Sequence, residues 1–288
     1  MILTSECMIC AKRIALEAAQ HVTRDESDLK TITSKMIEVI KDAFHNGMDS
    51  FLVGLRMMEI IEEVTGHSDP YKDFKKRCTN IAEQLAPTVR QMVEESPRAL
   101  HEACRTAVMG NLLDVIAGNS PELVDAGSLL RTPLAIDSFD EFQSALQGAE
   151  KIVYLADNAG EVFFDRILID RIREERGDIP IYYFIKGYPF LSDAQYEDIV
   201  PALIHQVANI NVVKLIKPVV MNQSYILSMY EEFLSAVRKT NLVVVKGQAN
   251  YELFAPLRID AFYLFVHKCP VIAQAEGANT GQAVFFKK

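Results

Sequence analysis

A helical segment followed by a layered α/β sheet is the fold class that this sequence predicts, and three observations predict it. Over residues 4–118 apolar side chains recur at helical spacing, as Ile37, Ile40 and Phe44 do, and no period-two run interrupts them. After residue 150 short apolar runs of strand length alternate with longer helical patterns, the signature of a mostly parallel sheet with helices on both faces. Between the two textures, Pro121, Gly127, Pro133 and Gly148 break residues 119–148 into short pieces. The expected architecture is a three-layer, Rossmann-like α/β domain at 149–288, preceded by an all-α helical domain at 1–148.

The elements follow in order. Leu52, Leu55 and Met58 through Ile61 continue the helical spacing of the first half. Ser96-Pro97 predicts a helix start, with Ser96 as cap and Pro97 at the first position, where its missing N–H costs nothing. That helix is expected to run through Ala103, Ala107 and Leu112 toward Ile116 and to end near Gly118-Asn119. A short helix is expected over 139–146. Strands are expected at 152–156, 179–185, 211–215, 242–245 and 262–266. The chain shows no internal repeat and no low-complexity tract.

Composition narrows the function. With 288 residues, 49% of them hydrophobic, the chain has enough apolar surface for a sizeable core. Its net charge of −9 argues against a nucleic-acid partner, since affinity there rests on lysine and arginine neutralising phosphates. A phosphorylated small molecule stays compatible if positive charge is focused locally. No apolar stretch approaches the ~20 residues of a membrane helix, and no signal core opens the sequence, so a soluble, cytoplasmic protein with no membrane partner is expected. Five cysteines are too few, and odd in number, for a disulfide framework.

The chemistry gathers at strand ends. The run Ile152 to Ala156 breaks into Asp157-Asn158-Ala159-Gly160-Glu161, the second strand leads to Lys186-Gly187 and Ser192-Asp193, and the fourth leads to Lys246-Gly247-Gln248-Ala249-Asn250-Tyr251-Glu252. Parallel strands place their carboxyl ends on one edge, so these residues converge there. Oxygen ligands and lysines suit a hard divalent cation, magnesium or manganese, together with a phosphate, whereas zinc would want histidine or thiolate. The glycines, Gly160 first, let the backbone approach a ligand, and the helix that follows offers free N–H groups to an anion.

Taken in order, these motifs resemble the damage-control phosphatases, the metal-dependent family once catalogued as domain of unknown function eighty-nine, and its microbial CxxC-bearing subfamily in particular. The resemblance spans nearly the whole chain. It begins at Glu6-Cys7-Met8-Ile9-Cys10, passes Asp69-Pro70-Tyr71 and Gly110-Asn111-Leu112-Leu113-Asp114, and continues through the strand-end motifs above. It implies Asp157, Asn158 and Asp193 as metal ligands. It also implies that Asn111 and Asp114 lend themselves to the pocket, and their i, i+3 spacing puts both on one helix face. Eukaryotic members carry an arginine and a threonine ahead of a lysine near the carboxyl terminus. Here Phe265-Val266-His267-Lys268 keeps the lysine alone, so Lys268 is expected on phosphate without the eukaryotic sugar-phosphate specificity.

The resulting assignment places catalysis on Asp157, Asp193 and Lys268, and substrate binding on Asn111, Asp114, Glu161, Lys186, Lys246, Asn250 and Glu252. The expected reaction is divalent-metal-dependent hydrolysis of phosphate monoesters of small metabolites, damaged or surplus nucleotides or related compounds, with either a water molecule or Asp157 as nucleophile. A non-catalytic nucleotide- or metal-binding regulator is the alternative. Each motif also has a plainer reading. Asp157-Asn158 can be a capping turn, Ser192-Asp193 a cap and first-turn carboxylate, and the lysines solvated strand ends. Cys7 and Cys10 can be a redox pair, half of a metal site with Cys78 and Cys104, or buried structural thiols.

Overall fold

The computed structural model describes residues 4–46, 49–114, 124–215 and 223–288. Five helices come first: α1 (Ser5–Gln20), α2 (Glu26–Asn46), α3 (Ser50–Thr65), α4 (Lys72–Glu94) and α5 (Ala99–Met109). Each buries the face its spacing predicts. In α2, Ile32, Met36, Ile40 and Ala43 recur at intervals of three and four and are all buried. α3 is apolar nearly all round because it is enclosed on nearly every side, and Asp49 sets its start by accepting the Phe51 N–H at 2.8 Å.

Ser96-Pro97 opens a turn before α5 rather than α5 itself. The Ser96 hydroxyl accepts the Arg98 N–H at 3.1 Å, and the helix begins at Ala99. At its far end α5 tightens into a 3-10 turn over Gly110–Leu113, and Asp114 is already extended. The expected continuation through Ile116 to Gly118-Asn119, with Pro121, lies outside the described residues.

The second half alternates strands and helices: α6 (Ala126–Arg131), β1 (Leu134–Asp137), α7 (Phe139–Gln147), β2 (Ile152–Leu155), α8 (Val162–Arg176), β3 (Ile181–Lys186), α9 (Tyr196–Ile199) and β4 (Asn209–Val213). It continues with α10 (Gln223–Met229), α11 (Glu231–Val237), β5 (Val243–Lys246), α12 (Gln248–Phe254), β6 (Phe262–Val266), α13 (Pro270–Ala275) and β7 (Ala283–Lys287). All five expected strands form, within two residues of their expected bounds. β1 and β7 are additional. β1 is a four-residue edge strand whose alternating half-buried pattern is too short to read from periodicity, while β7 lies in the apolar run Val284-Phe285-Phe286 that the alternation pattern passed over.

The sheet order is β1-β7-β6-β5-β2-β3-β4, and every pairing is parallel except β6 with β7. β2 pairs with β3 on one side and β5 on the other, so the chain winds outward in both directions from the β2–β5 seam. A crevice opens beyond the strand carboxyl ends at such a reversal. Every residue of β2, β5 and β6 is buried, which requires cover on both sheet faces. α5 supplies part of that cover, packing on α8, β6 and β7, and buried apolar side chains form one continuous cluster from Ala15 to Phe286.

Candidate functional site at the β2–β5 seam

Backbone pairing builds the centre of the site. After β2 the chain stays extended for two residues, and the segment after β3 returns to meet it: Asp157 O accepts the Ala194 N–H at 2.7 Å, and the Ala159 N–H donates to Ser192 O at 3.0 Å. Asn158 and Asp193 thus face each other across an isolated antiparallel bridge. Both plainer readings fail here. Asn158 makes no side-chain cap bond to the turn that follows, and Ser192 does not start α9, which begins at Tyr196 after Gln195. Gly160 approaches protein rather than ligand: a Cβ there would sit 3.1 Å from Cys78 and Leu113.

The side chains form one buried network. Asp157 Oδ2 accepts from Asn158 Nδ2 at 2.8 Å and from Asn111 Nδ2 at 3.1 Å. Asn158 Oδ1 accepts from the Ser192 hydroxyl at 2.7 Å, and Ser192 also reaches Asp114 Oδ1 at 2.9 Å. Glu161 Oε1 accepts from both Asn111 and Asn158. Asn111 Oδ1 takes the Val266 N–H at 3.1 Å, which ties the end of α5 to β6. Asn111 and Asp114 both reach the site, but across a 3-10 turn and an extended residue rather than on one α-helical face.

Three lysines hold the acidic groups. Lys186 pairs with Asp193 and lies 5.2 and 5.7 Å from the ring centres of Phe190 and Phe51. Lys268 pairs with Asp114. Lys246 is wholly buried between Glu161 Oε2 at 2.8 Å and Asp165 Oδ1 at 2.7 Å, and Asp165 is itself gripped by the hydroxyls of Tyr154 and Tyr183 at 2.6 and 2.7 Å. Asp165 was not anticipated. Its signal was a carboxylate four residues after Glu161, among apolar residues in the first turn of α8.

Burial and the neighbouring Glu161 push the Asp157 carboxyl up to about 7. Burial pulls the Lys186 ammonium down to about 8. Burial also opposes the charge on Lys246 and Lys268, yet their carboxylate partners outweigh it and raise both.

Gly247 completes the floor. It follows β5 with φ +84° and ψ 148°, and a Cβ placed there would stand 2.1 Å from the Asp157 carboxylate, so only glycine allows β5 to close on Asp157.

A cavity of about 410 Å³ opens over this network. Of the residues singled out from sequence, Asp114, Asp157, Asn158, Asp193, Glu252 and Lys268 line it. Asn111, Glu161 and Lys186 stand behind them, each bonded to a lining residue, and Lys246 stands behind Glu161. Asn250 is further back, its amide donating to Ala156 O and Lys246 O at 3.1 and 2.7 Å. Cys7 and Cys10 also line the cavity, as does Cys269, so the CxxC belongs to this pocket's wall. Cys78 and Cys104 are buried elsewhere, and Cys78 donates to Leu113 O.

Among the described residues no three His, Cys, Asp or Glu side chains are spaced as a metal cluster. Carboxamide oxygens also ligate hard cations, and Asn158 follows Asp157 directly and faces Asp193 across the bridge. The donor set is oxygen only, and it surrounds a carboxyl that burial and a second carboxylate hold near neutrality, so its chemistry fits a hard divalent cation.

Comparison with known proteins agrees along the whole chain. The model of the damage-control phosphatase ARMT1-like domain matches residues 3–284. An uncharacterized protein of Methanocaldococcus jannaschii is 29% identical over 300 residues, covering 98% of this chain and 94% of its own. Damage-control phosphatases of Pyrococcus horikoshii and Archaeoglobus fulgidus are 25% and 26% identical, covering 93% and 96% of this chain and 92% and 96% of theirs. A solved structure from Pyrococcus horikoshii, described as a DUF89 family protein, superposes with a TM-score of 0.85 over 100% of this chain and 99% of that one at 24% identity, which shows the common fold.

Proposed function

The chain belongs to the damage-control phosphatase ARMT1-like domain family, and on that premise we propose that it hydrolyses phosphate monoesters of small metabolites with a divalent cation, manganese or magnesium, held by Asp157, Asn158 and Asp193. Water adds to phosphorus and the alcohol departs with a proton, which releases inorganic phosphate. Damaged or surplus nucleotides and related phosphometabolites enter as candidate substrates through the family resemblance. A cytoplasmic setting accords with five free thiols.

One observation carries the reading. Asp157, Asn158, Ser192 and Asp193 are zipped together on paired backbone at the sheet's reversal point, open to a cavity that Lys268 also lines. When bound, the cation supplies Lewis-acid polarisation of the phosphoryl oxygens. The chain's own groups do the rest. Asp157 must lose its proton to act as a ligand. Lys268, its pKa raised by Asp114, stays protonated through neutral pH and offers positive charge to the phosphoryl oxygens as negative charge builds on them. Glu161 fixes the amides of Asn111 and Asn158, and Lys246 fixes Glu161 from below. Burial of this layer keeps bulk water from screening these charges.

A phosphate-release assay over a panel of divalent metals and phosphometabolites tests the proposal, comparing the native chain with Asp157→Ala and Asp193→Ala. Metal-dependent release that both substitutions abolish is expected. Release that survives both would remove these residues from the reaction. Saturable nucleotide or metal binding with no release under any metal would favour a regulatory binding protein.

A further inference from the structure

We infer that Lys75 is a positioning residue: it reaches across from the helical half and holds the segment that presents Asp193 to the cation. The inference goes beyond the phosphatase reading above and rests on it for the ligand role of Asp193.

Lys75 lies near the start of α4, with its side chain only 2% exposed. Its ammonium pairs with Asp69 Oδ2 at 2.7 Å and donates to Gln195 Oε1 at 3.0 Å, with Asp198 Oδ2 at 3.6 Å. Asp69 is fixed in turn, since its Oδ1 accepts the Tyr71 N–H at 3.0 Å. The Asp69-Pro70-Tyr71 motif therefore serves as the anchor for Lys75, and none of these residues lines the cavity. Gln195 comes two residues after Asp193 and caps α9, its N–H donating to Asp198 Oδ2 at 2.9 Å. Lys75 faces both members of that cap.

The same helix face meets the other side of the bridge. Cys78, one turn on from Lys75, packs against Gly160, where a Cβ would stand 3.1 Å from Cys78. α4 thus clasps the Asp157-Asn158 segment through Cys78 and the Asp193 segment through Lys75.

The Asp193 segment needs such a hold. Leu191 has φ +50°, a left-handed conformation that leucine rarely adopts and that persists only where its surroundings enforce it. Lys186 pairs with the Asp193 carboxylate itself, whereas Lys75 acts on the backbone that carries it. A charge-assisted hydrogen bond is the stronger kind, and this one falls two residues from the ligand.

The test uses the full chain and compares Lys75→Met, Gln195→Leu, the double variant and Arg90→Gln. Arg90 is the control: it stands on the same helix and pairs with Asp170 of α8 at 2.7 Å, so it links α4 to the α/β half at another place. In the cation-free chain, amide hydrogen exchange over residues 190–195 should quicken in Lys75→Met and Gln195→Leu and stay native in Arg90→Gln. Partners that orient a ligand are typically worth tenfold to a hundredfold in metal affinity, so isothermal titration should find manganese bound about tenfold more weakly in both. The manganese concentration for half-maximal phosphate release from p-nitrophenyl phosphate should rise about tenfold as well. KM for the ester at saturating manganese should keep its native value, a split that a general loss of stability would not produce. The double variant should bind manganese no more weakly than the weaker single variant, because both break one link. Gln195→Leu keeps the Lys75–Asp69 pair, so it reports the link even where Lys75→Met fails to fold. Native exchange over 190–195 or native manganese affinity in Gln195→Leu, losses that multiply in the double variant, or equal losses in Arg90→Gln would each overturn the inference and leave the phosphatase reading intact. A native chain that neither binds manganese nor releases phosphate would overturn that reading, and this inference with it.

Discussion

Replacing Gly247 with alanine adds one methyl group at the point where β5 closes on Asp157, and two separate costs follow. Its φ of +84° with ψ 148° falls near a region open essentially to glycine alone, which costs an alanine about 1–3 kcal/mol. The added Cβ would also stand 2.1 Å from the Asp157 carboxylate, so either Asp157 or the start of α12 must move. Asp157 is the less free of the two to adjust, being held by Asn111 and Asn158 and buried. With roughly 2 kcal/mol more for that disruption, comparable to a lost buried hydrogen bond to a charged group, Gly247→Ala should lose ~3–5 kcal/mol. For a chain of this length a loss of that size lowers Tm by about 5–10 °C.

Gly277 provides the control. Its φ is +69° but no atom lies within 4 Å of a Cβ there, so Gly277→Ala bears only the backbone cost, about 1 kcal/mol and ~2 °C. Differential scanning calorimetry gives both shifts, and phosphate release gives the second readout. Gly247→Ala should lose nearly all activity and Gly277→Ala should keep it. Equal Tm losses for the two variants, or native activity in Gly247→Ala, would refute the contact between β5 and Asp157.

Three further outcomes are expected. Lys246→Met leaves Glu161 and Asp165 buried without their cation, so chemical denaturation should show a loss of about 3–5 kcal/mol; pairing it with Asp165→Leu should restore part of that. Ser192→Ala removes the hydroxyl that lies within hydrogen-bond reach of both Asn158 Oδ1 and Asp114 Oδ1, and calorimetry should find it about 1–2 kcal/mol less stable, with weaker manganese binding. Because Asp157 is raised to about 7 in the cation-free chain, manganese must displace its proton. Affinity from isothermal titration should therefore climb about tenfold per pH unit up to near 7 and level off above it. The sign for folding follows from the same shift. A carboxyl raised above its unfolded value favours the fold at low pH, and that contribution is lost as pH rises from about 4 through about 7. Affinity that is flat from pH 5.5 to 7.5 would argue against Asp157 as a ligand.

Much of the fold could be read along the chain because its signals are local. Four of the five expected strands, β2, β3, β5 and β6, are runs buried on both faces or nearly so, and such runs are continuous in sequence; β4 is a half-exposed edge strand. β1 escaped because an edge strand of four residues with alternating burial has almost no periodicity to show, and α6 escaped because its only marker is the Asp125–Ser128 capping box. Ser96-Pro97 was misplaced by two residues because a serine that closes a turn and one that caps a helix use the same hydroxyl in the same way.

The site was legible as a set of residue types and illegible as an arrangement. Asp157, Asn158, Asp193 and Lys268 do converge, as strand ends in a parallel sheet must. Lys246 belongs to the same edge by register, yet its side chain turns beneath the cavity because Glu161 and Asp165 on α8 lie there to receive it. The cysteines show the limit most clearly. Nothing near Cys7 and Cys10 in sequence links them to Asp157, and α1 brings them to the pocket wall only through packing of the helical half over the sheet edge.

The sequence by itself determined the layered α/β class, the strand ends that carry oxygen ligands and the lysines that accompany them, since backbone periodicity and residue chemistry are properties of short segments. Only the tertiary structure decided which lysine faces the cavity, that Gly247 is required by Asp157 and not by a ligand, and that the CxxC lines the same cavity. Those outcomes depend on the distances between segments far apart in the chain, and packing alone sets those distances.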